Sequence, residues 1–191
     1  MLNLPRNVWI LSICLALFMS LSVFIVFVGG ILGNELASSK SLSTLPIAAI
    51  VVGTAVSIFP VIRLMSIFGR KTVFLIICIY SIALLGLSVF AIITGSFLLF
   101  CLSSFLLGAT VATMNQFRFA AIESVSEEQR ATATAIVLLG GLVSAYLGPE
   151  VATIGKDIFT INFVGSYILL GLFFFDRLYI ALFFPTSQKI C

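Results

Sequence analysis

Six long apolar stretches, joined by short polar links, take up nearly all of a 191-residue chain. Hydrophobic residues make up 61% of it and charged residues 9%, which leaves too little polar surface to coat a water-soluble globule. Lipid is therefore the solvent. Backbone groups left unsatisfied in lipid are so costly that only helices or closed barrels span it, and long runs without strand-like alternation select helices. A span needs roughly 20 apolar residues, which places six here, at residues 8–32, 42–62, 72–93, 97–117, 127–154 and 159–175. The expected class is an all-α, polytopic membrane protein, a six-helix transmembrane bundle over residues 1–184 with a short tail at 185–191. Arg6 precedes the first run, but 25 residues exceed the ~7 to 15 of a signal-peptide core, so it reads as a retained span. The sixth run is expected to end at Phe175, because Asp176-Arg177 interrupts it and charges deep in a bilayer are costly.

The ten cations are distributed unevenly over the links. Arg6, Arg63, Arg70, Lys71, Arg118, Arg130, Arg177 and Lys189 fall on one side, against Lys40 and Lys156 on the other. That bias places both termini in the cytoplasm of a cell or inner membrane. The formal charge of +3 forms no basic patch that suggests nucleic acid. There is no His, so the commonest metal ligand and general base is missing. Cys14, Cys78, Cys101 and Cys191 have no metal-ligand spacing and read as small buried side chains or, for Cys191, a chain end. No catalytic dyad and no phosphate-cradling glycine loop is present, so neither an enzyme nor a cofactor is expected.

Four local patterns carry chemistry. In the 63–71 link, Gly69 permits a tight turn, and Arg70 and Lys71 can bond carbonyls at a helix end, pair with a carboxylate, or simply set topology. Ser126 and Gln129 have capping-box spacing, with Glu127 and Glu128 in the first turn of the fifth helix. Glu123 precedes that cap and can meet Arg70, Lys71 or Arg130 on the same membrane face. In the fifth span, Gly140, Ser144 and Gly148 recur every four residues beside Gly141, a smooth face for close helix approach, and Pro149 removes a backbone bond and can bend the helix. Gly53, Ser57 and Pro60 in the second span echo Gly140, Ser144 and Pro149, as two inverted repeats at 8–93 and 97–175 would require. Asn115, Gln116, Arg118 and Glu150 are the polar side chains best placed for a solute, although Asn115 and Arg118 also suit a helix end at the interface.

The glycine and basic run between the second and third spans resembles that of the major facilitator superfamily. The family pattern is Gly, three residues, Asp-Arg, one residue, Gly and basic residues; this chain keeps Gly69-Arg70-Lys71 and has Ile62, Ser66 and Ile67 at the other places. A carboxylate ending the fourth helix and an arginine opening the fifth resemble Glu123 and Arg130, and the Gly-rich fifth helix with Gly148-Pro149 resembles the antiporter-associated motif, with Glu150-Val151-Ala152 in place of its paired glycines. The resemblance implies one six-helix half of a carrier that moves a small solute by rocking two halves about a midplane site. Gly69, Arg70, Lys71, Glu123 and Arg130 would form a cytoplasmic latch, and Gly140, Gly141, Ser144, Gly148 and Pro149 a bending segment. Its partners would be membrane lipid, a small-molecule solute, and a second six-helix half or a second copy. The alternative is a truncated or interrupted-gene product, or an assembly subunit, without transport activity of its own.

Overall fold

The computed structural model describes residues 6–116, 119 and 125–183, and among these residues there are helices and turns but no strand. The long helices are α1 (Arg6–Leu36), α2 (Leu45–Phe68), α3 (Arg70–Ile93), α4 (Phe97–Met114), α5 (Arg130–Gly155) and α6 (Val164–Phe183). By length and composition, five of the described segments can cross a membrane: Leu15–Leu36, Lys40–Phe68, Arg70–Ile93, Phe97–Met114 and Glu127–Gly155. The apolar part of α6, Val164–Phe174, is shorter.

Several boundaries differ from the sequence expectation. Residues 63–68 are the last turns of α2, not a link, and Gly69 alone separates α2 from α3. Gly69 has φ 78°, a conformation that costs a side-chain-bearing residue energy, and its N–H donates to the Met65 carbonyl at 3.0 Å. The sixth helix does not stop at Phe175. It begins later, at Val164, and its backbone continues through Asp176 and Arg177 to Phe183. Two adjacent charges weigh on the depth at which a helix sits, not on its backbone hydrogen bonds, so they do not end it. At the start of α5, the Ser126 hydroxyl does not make the expected cap bond. Ser126 opens a 3-10 turn, Glu127–Gln129, without a hydroxyl cap bond, and its carbonyl instead accepts the Gln129 N–H at 3.0 Å. A short 3-10 turn gives an early donor a backbone acceptor.

Two helix pairs approach closely at paired small residues. Where α2 crosses α4, a Cβ on Gly53 would strike the Phe105 carbonyl, and one on Gly108 would strike the backbone of Gly53 and Thr54. Where α1 runs beside α5, a Cβ on Gly140 would strike the Ser12 carbonyl, and one on Gly148 would lie 2.9 Å from the Val23 side chain. Lipid tails provide no hydrophobic drive between helices, so close backbone approach and interhelical hydrogen bonds must supply cohesion. The Ser12 hydroxyl donates to the Ile136 carbonyl at 2.8 Å across α1–α5, in parallel register with the Val23–Gly148 contact. Between α3 and α4, Ser81 bonds Thr110 at 2.7 Å, Ser88 donates to Ser103 at 2.9 Å, and Tyr80 donates to the Leu106 carbonyl at 3.1 Å. Those pairings are antiparallel, as the three-residue link at 94–96 dictates. Ser166 of α6 donates to the Ala152 carbonyl of α5 at 2.8 Å.

The centre is aromatic. Tyr167 of α6 meets Phe24 of α1 edge-on at 4.9 Å and Phe100 of α4 at 6.2 Å, and is 1% exposed. Among the described residues its hydroxyl has no hydrogen-bond partner. Tyr167→Phe is therefore expected to keep both ring contacts and raise stability by about 1 kcal/mol, the lower end of the cost of an unsatisfied buried hydroxyl, as a higher melting temperature in detergent. A lower one would mean that the hydroxyl has a partner.

Candidate functional site

The α3–α4 and α1–α5 registers gather the basic and amide residues at helix ends. Arg70 is the first residue of α3 and half-buried, whereas Lys71 is exposed. Asn115 and Gln116 follow α4 as a half-buried turn, their N–H groups donating to the Val111 and Thr113 carbonyls at 3.2 and 3.0 Å. Arg130 opens α5 and pairs with Glu127 at 3.1 Å, three residues earlier on the chain. Both side chains are exposed, so this pair is of the weak kind, worth ~0 to 1 kcal/mol at most. Arg118 and Glu123 lie outside the described residues.

The small-residue face of α5 is buried at Gly140, Ser144 and Gly148, and α1 occupies it. Gly141 is not part of that contact, since a Cβ there would meet nothing within 4 Å. Helix α5 continues through Pro149 to Gly155, and proline at that place deprives the Ala145 carbonyl of its helical donor.

Glu150 is the one solute-contact residue whose side-chain bonds are on view. The Tyr146 hydroxyl donates to Oε1 at 2.9 Å, and the Thr153 hydroxyl lies 3.3 Å from Oε2 and 3.0 Å from the Glu150 carbonyl. These partners stand four residues before and three after it, on the same helix face. That spacing was available in the sequence, inside the expected span at 127–154, and the sequence reading does not use it.

A second feature was not visible in the sequence. An apolar slot of about 400 Å³ opens between α1 and α5, lined by Trp9, Ser12 and Ile13 on one side and Gly140, Val143 and Leu147 on the other. It exists because Gly140 draws α5 against α1 while larger residues on either side stand off. Trp9 is the chain's single tryptophan. Among the described residues no three His, Cys, Asp or Glu side chains come together as metal ligands would.

Comparison with known proteins gives these arrangements a context. A riboflavin transporter, RfnT of Brucella anthropi, is 32% identical over 164 residues, which cover 85% of this chain and 41% of the relative. Two proteins of Bacillus subtilis, the uncharacterized MFS-type transporters YdeG and YddS, are 32% and 29% identical over 69% and 86% of this chain, and 31% and 39% of their own lengths. The chain thus spans less than half the length of the curated relatives it matches. No solved structure matches. The family model of the Major Facilitator Superfamily matches residues 8–189, and with that match over nearly its whole length the chain belongs to the Major Facilitator Superfamily of membrane transporters.

Proposed function

We propose that this chain forms one six-helix half of a secondary carrier, with α6 as the sixth span, and that it works against a second six-helix bundle or a second copy of itself to move a small organic solute by alternating access. The carrying observation is the uneven burial of its helices. The most apolar windows of α2 and α5 are only 22% and 33% buried, against 61% for α4. Helices α2 and α5 hold corresponding places in two three-helix repeats, so a bundle related to its partner by rocking would present this pair at the shared face. The glycine crossings support the repeat: α2 meets α4 at Gly53 as α5 meets α1 at Gly140.

In this reading both termini are cytoplasmic in the cell or inner membrane, and Gly69, Arg70, Lys71, Glu123 and Arg130 form the cytoplasmic latch. The segment Gly140, Gly141, Ser144, Gly148 and Pro149 allows the bend, and Asn115, Gln116, Arg118 and Glu150 contact solute. The Brucella relative makes riboflavin the first solute to test.

The experiment is uptake of radiolabelled riboflavin by proteoliposomes. Saturable, time-dependent accumulation above empty vesicles is expected, with a dimer or a two-bundle complex on size analysis. A strictly monomeric protein that accumulates nothing would sink the reading and leave the non-transporting alternative. Within it, Arg70→Glu and Glu123→Arg should each lower uptake by about fivefold, the order of effect of an exposed ion pair, and together should restore it. No restoration would separate the two residues.

A further inference from the structure

The apolar slot and the Glu150 cluster lie on one continuous face of α5. Ile136, Gly140, Val143 and Leu147 line the slot, and their spacing of four, three and four residues keeps one side of a helix. The next step of three reaches Glu150, about 4.5 Å further along the axis. A carboxylate has roughly four acceptor positions. The Tyr146 and Thr153 hydroxyls account for two of them, and the half-buried side chain keeps the remainder open. A surface turned to acyl chains would carry exposed apolar residues such as Leu138 and Leu142 without cost, but not an acceptor-rich carboxylate.

We infer that the α1–α5 slot and Glu150 form one binding site for an amphipathic organic cation: a flat, largely apolar body lies at the end of the slot lined by Leu17, Val143 and Leu147, and an ammonium or protonated ring amine donates to the Glu150 carboxylate held by Tyr146 and Thr153. The slot's volume matches a small molecule and not a helix. Its lining supplies no charged acceptor for the donor end: the Ser12 hydroxyl gives its proton to the Ile136 carbonyl and keeps only neutral lone pairs. The charged acceptor sits at the Glu150 end, which sets the ligand's orientation. Recognition of this kind combines an apolar enclosure with one charge-assisted hydrogen bond.

The assignment rests on the carrier reading, and the two fail separately. Trp9 provides a site-specific signal, since it is the single tryptophan and it lines the slot. The protein in lipid nanodiscs is titrated with 9-aminoacridine, a planar tricycle bearing an amine, and with anthracene-9-carboxylate, a similar tricycle bearing an acceptor. Saturable quenching by the amine, at least about tenfold tighter than by the carboxylate, is expected. Glu150→Gln should weaken the amine by about tenfold and remove the preference, and Val143→Phe, which fills the slot, should weaken both probes. Leu142→Phe, exposed on α5 outside the slot, should change neither, and circular dichroism checks that each variant is folded. Equal binding of the two probes, an unchanged affinity in Glu150→Gln, or quenching by dibrominated phosphatidylcholine that the amine does not relieve would overturn the site; the last result would give the slot to lipid. If probe binding behaves as expected while riboflavin uptake is absent, the carrier reading fails and the site stands. If uptake is present while probe binding is indifferent to both variants, the carrier reading stands and the site fails.

Discussion

Gly108→Ala is expected to remove most of the folded protein from the membrane, while Gly86→Ala leaves yield and melting temperature unchanged or slightly raised. The chemical change is the same at both places. Each adds a methyl group to a helical glycine, which by itself favours the helix by about 0.5–1 kcal/mol. At Gly86 the new carbon meets nothing within 4 Å. At Gly108 it is driven into the Thr54 nitrogen and the Gly53 backbone, and no side chain is there to rotate away. The helices must separate, and separation breaks a crossing in which Gly53 is equally tight against the Phe105 carbonyl. Overpacking against side chains costs typically 1–3 kcal/mol; against backbone on both sides the loss should reach at least about 3 kcal/mol. Fluorescence-detected size exclusion of detergent extracts, with a thermal ramp, measures both quantities. Similar melting temperatures for the two variants would mean that α2 and α4 do not cross at these glycines.

The same crossings explain how much of the fold the sequence disclosed. Solvent chooses helices in a chain this apolar, so the class and five of the spans follow from composition and run length. Helix ends are harder. The Arg63 cation reads as a link because charge is expected outside the hydrocarbon, yet backbone hydrogen bonding carries α2 on to Phe68 and leaves Gly69 to make the turn. Asp176-Arg177 misleads in the same way in α6. Charge reports depth, whereas helix termination needs a residue that breaks the hydrogen-bond ladder or turns the chain, as Gly69 does at positive φ.

The candidate site was legible only where it lies within one helix. The Gly140, Ser144 and Gly148 face follows from spacing, and α1 fills it. Which helix would fill it did not follow, because pairing in lipid depends on the shape of both surfaces and not on hydrophobicity. Gly108 stands between Ser104 and Ala112 at intervals of four, a small-residue face in α4 that the sequence reading passes over and that α2 lies against at Gly108. The slot depends on two helices more than a hundred residues apart, with Ser12 bonding the carbonyl of Ile136, and no local pattern encodes such a juxtaposition. A bundle held by backbone contact at Gly53, Gly108, Gly140 and Gly148 has little room to shear internally, since any slide replaces glycine with a side chain at the crossing. In the proposed carrier, movement would then lie between bundles, or within a helix where the ladder is already broken.

Helix α5 has such a break at Pro149, and three variants separate packing from bending. Gly140→Ala should lower melting temperature and uptake together, because the added carbon strikes the Ser12 carbonyl and displaces the hydroxyl bond to Ile136. Its neighbour provides the control. Gly141→Ala adds the same methyl one residue on, where nothing lies within 4 Å, so it should keep or raise stability by about 0.5–1 kcal/mol. Pro149→Ala restores the N–H that the Ala145 carbonyl lacks and should stabilise the helix by up to about 3 kcal/mol. If α5 must bend for the site to change sides, that gain is at the expense of turnover: uptake should fall several-fold while 9-aminoacridine still quenches Trp9 from the slot, whose α5 lining ends at Leu147 before Pro149, even where its bond to Glu150 on the far side is altered. Should Pro149→Ala raise stability and leave uptake intact, Pro149 has no part in motion, and the small residues of α5 serve its contact with α1 alone.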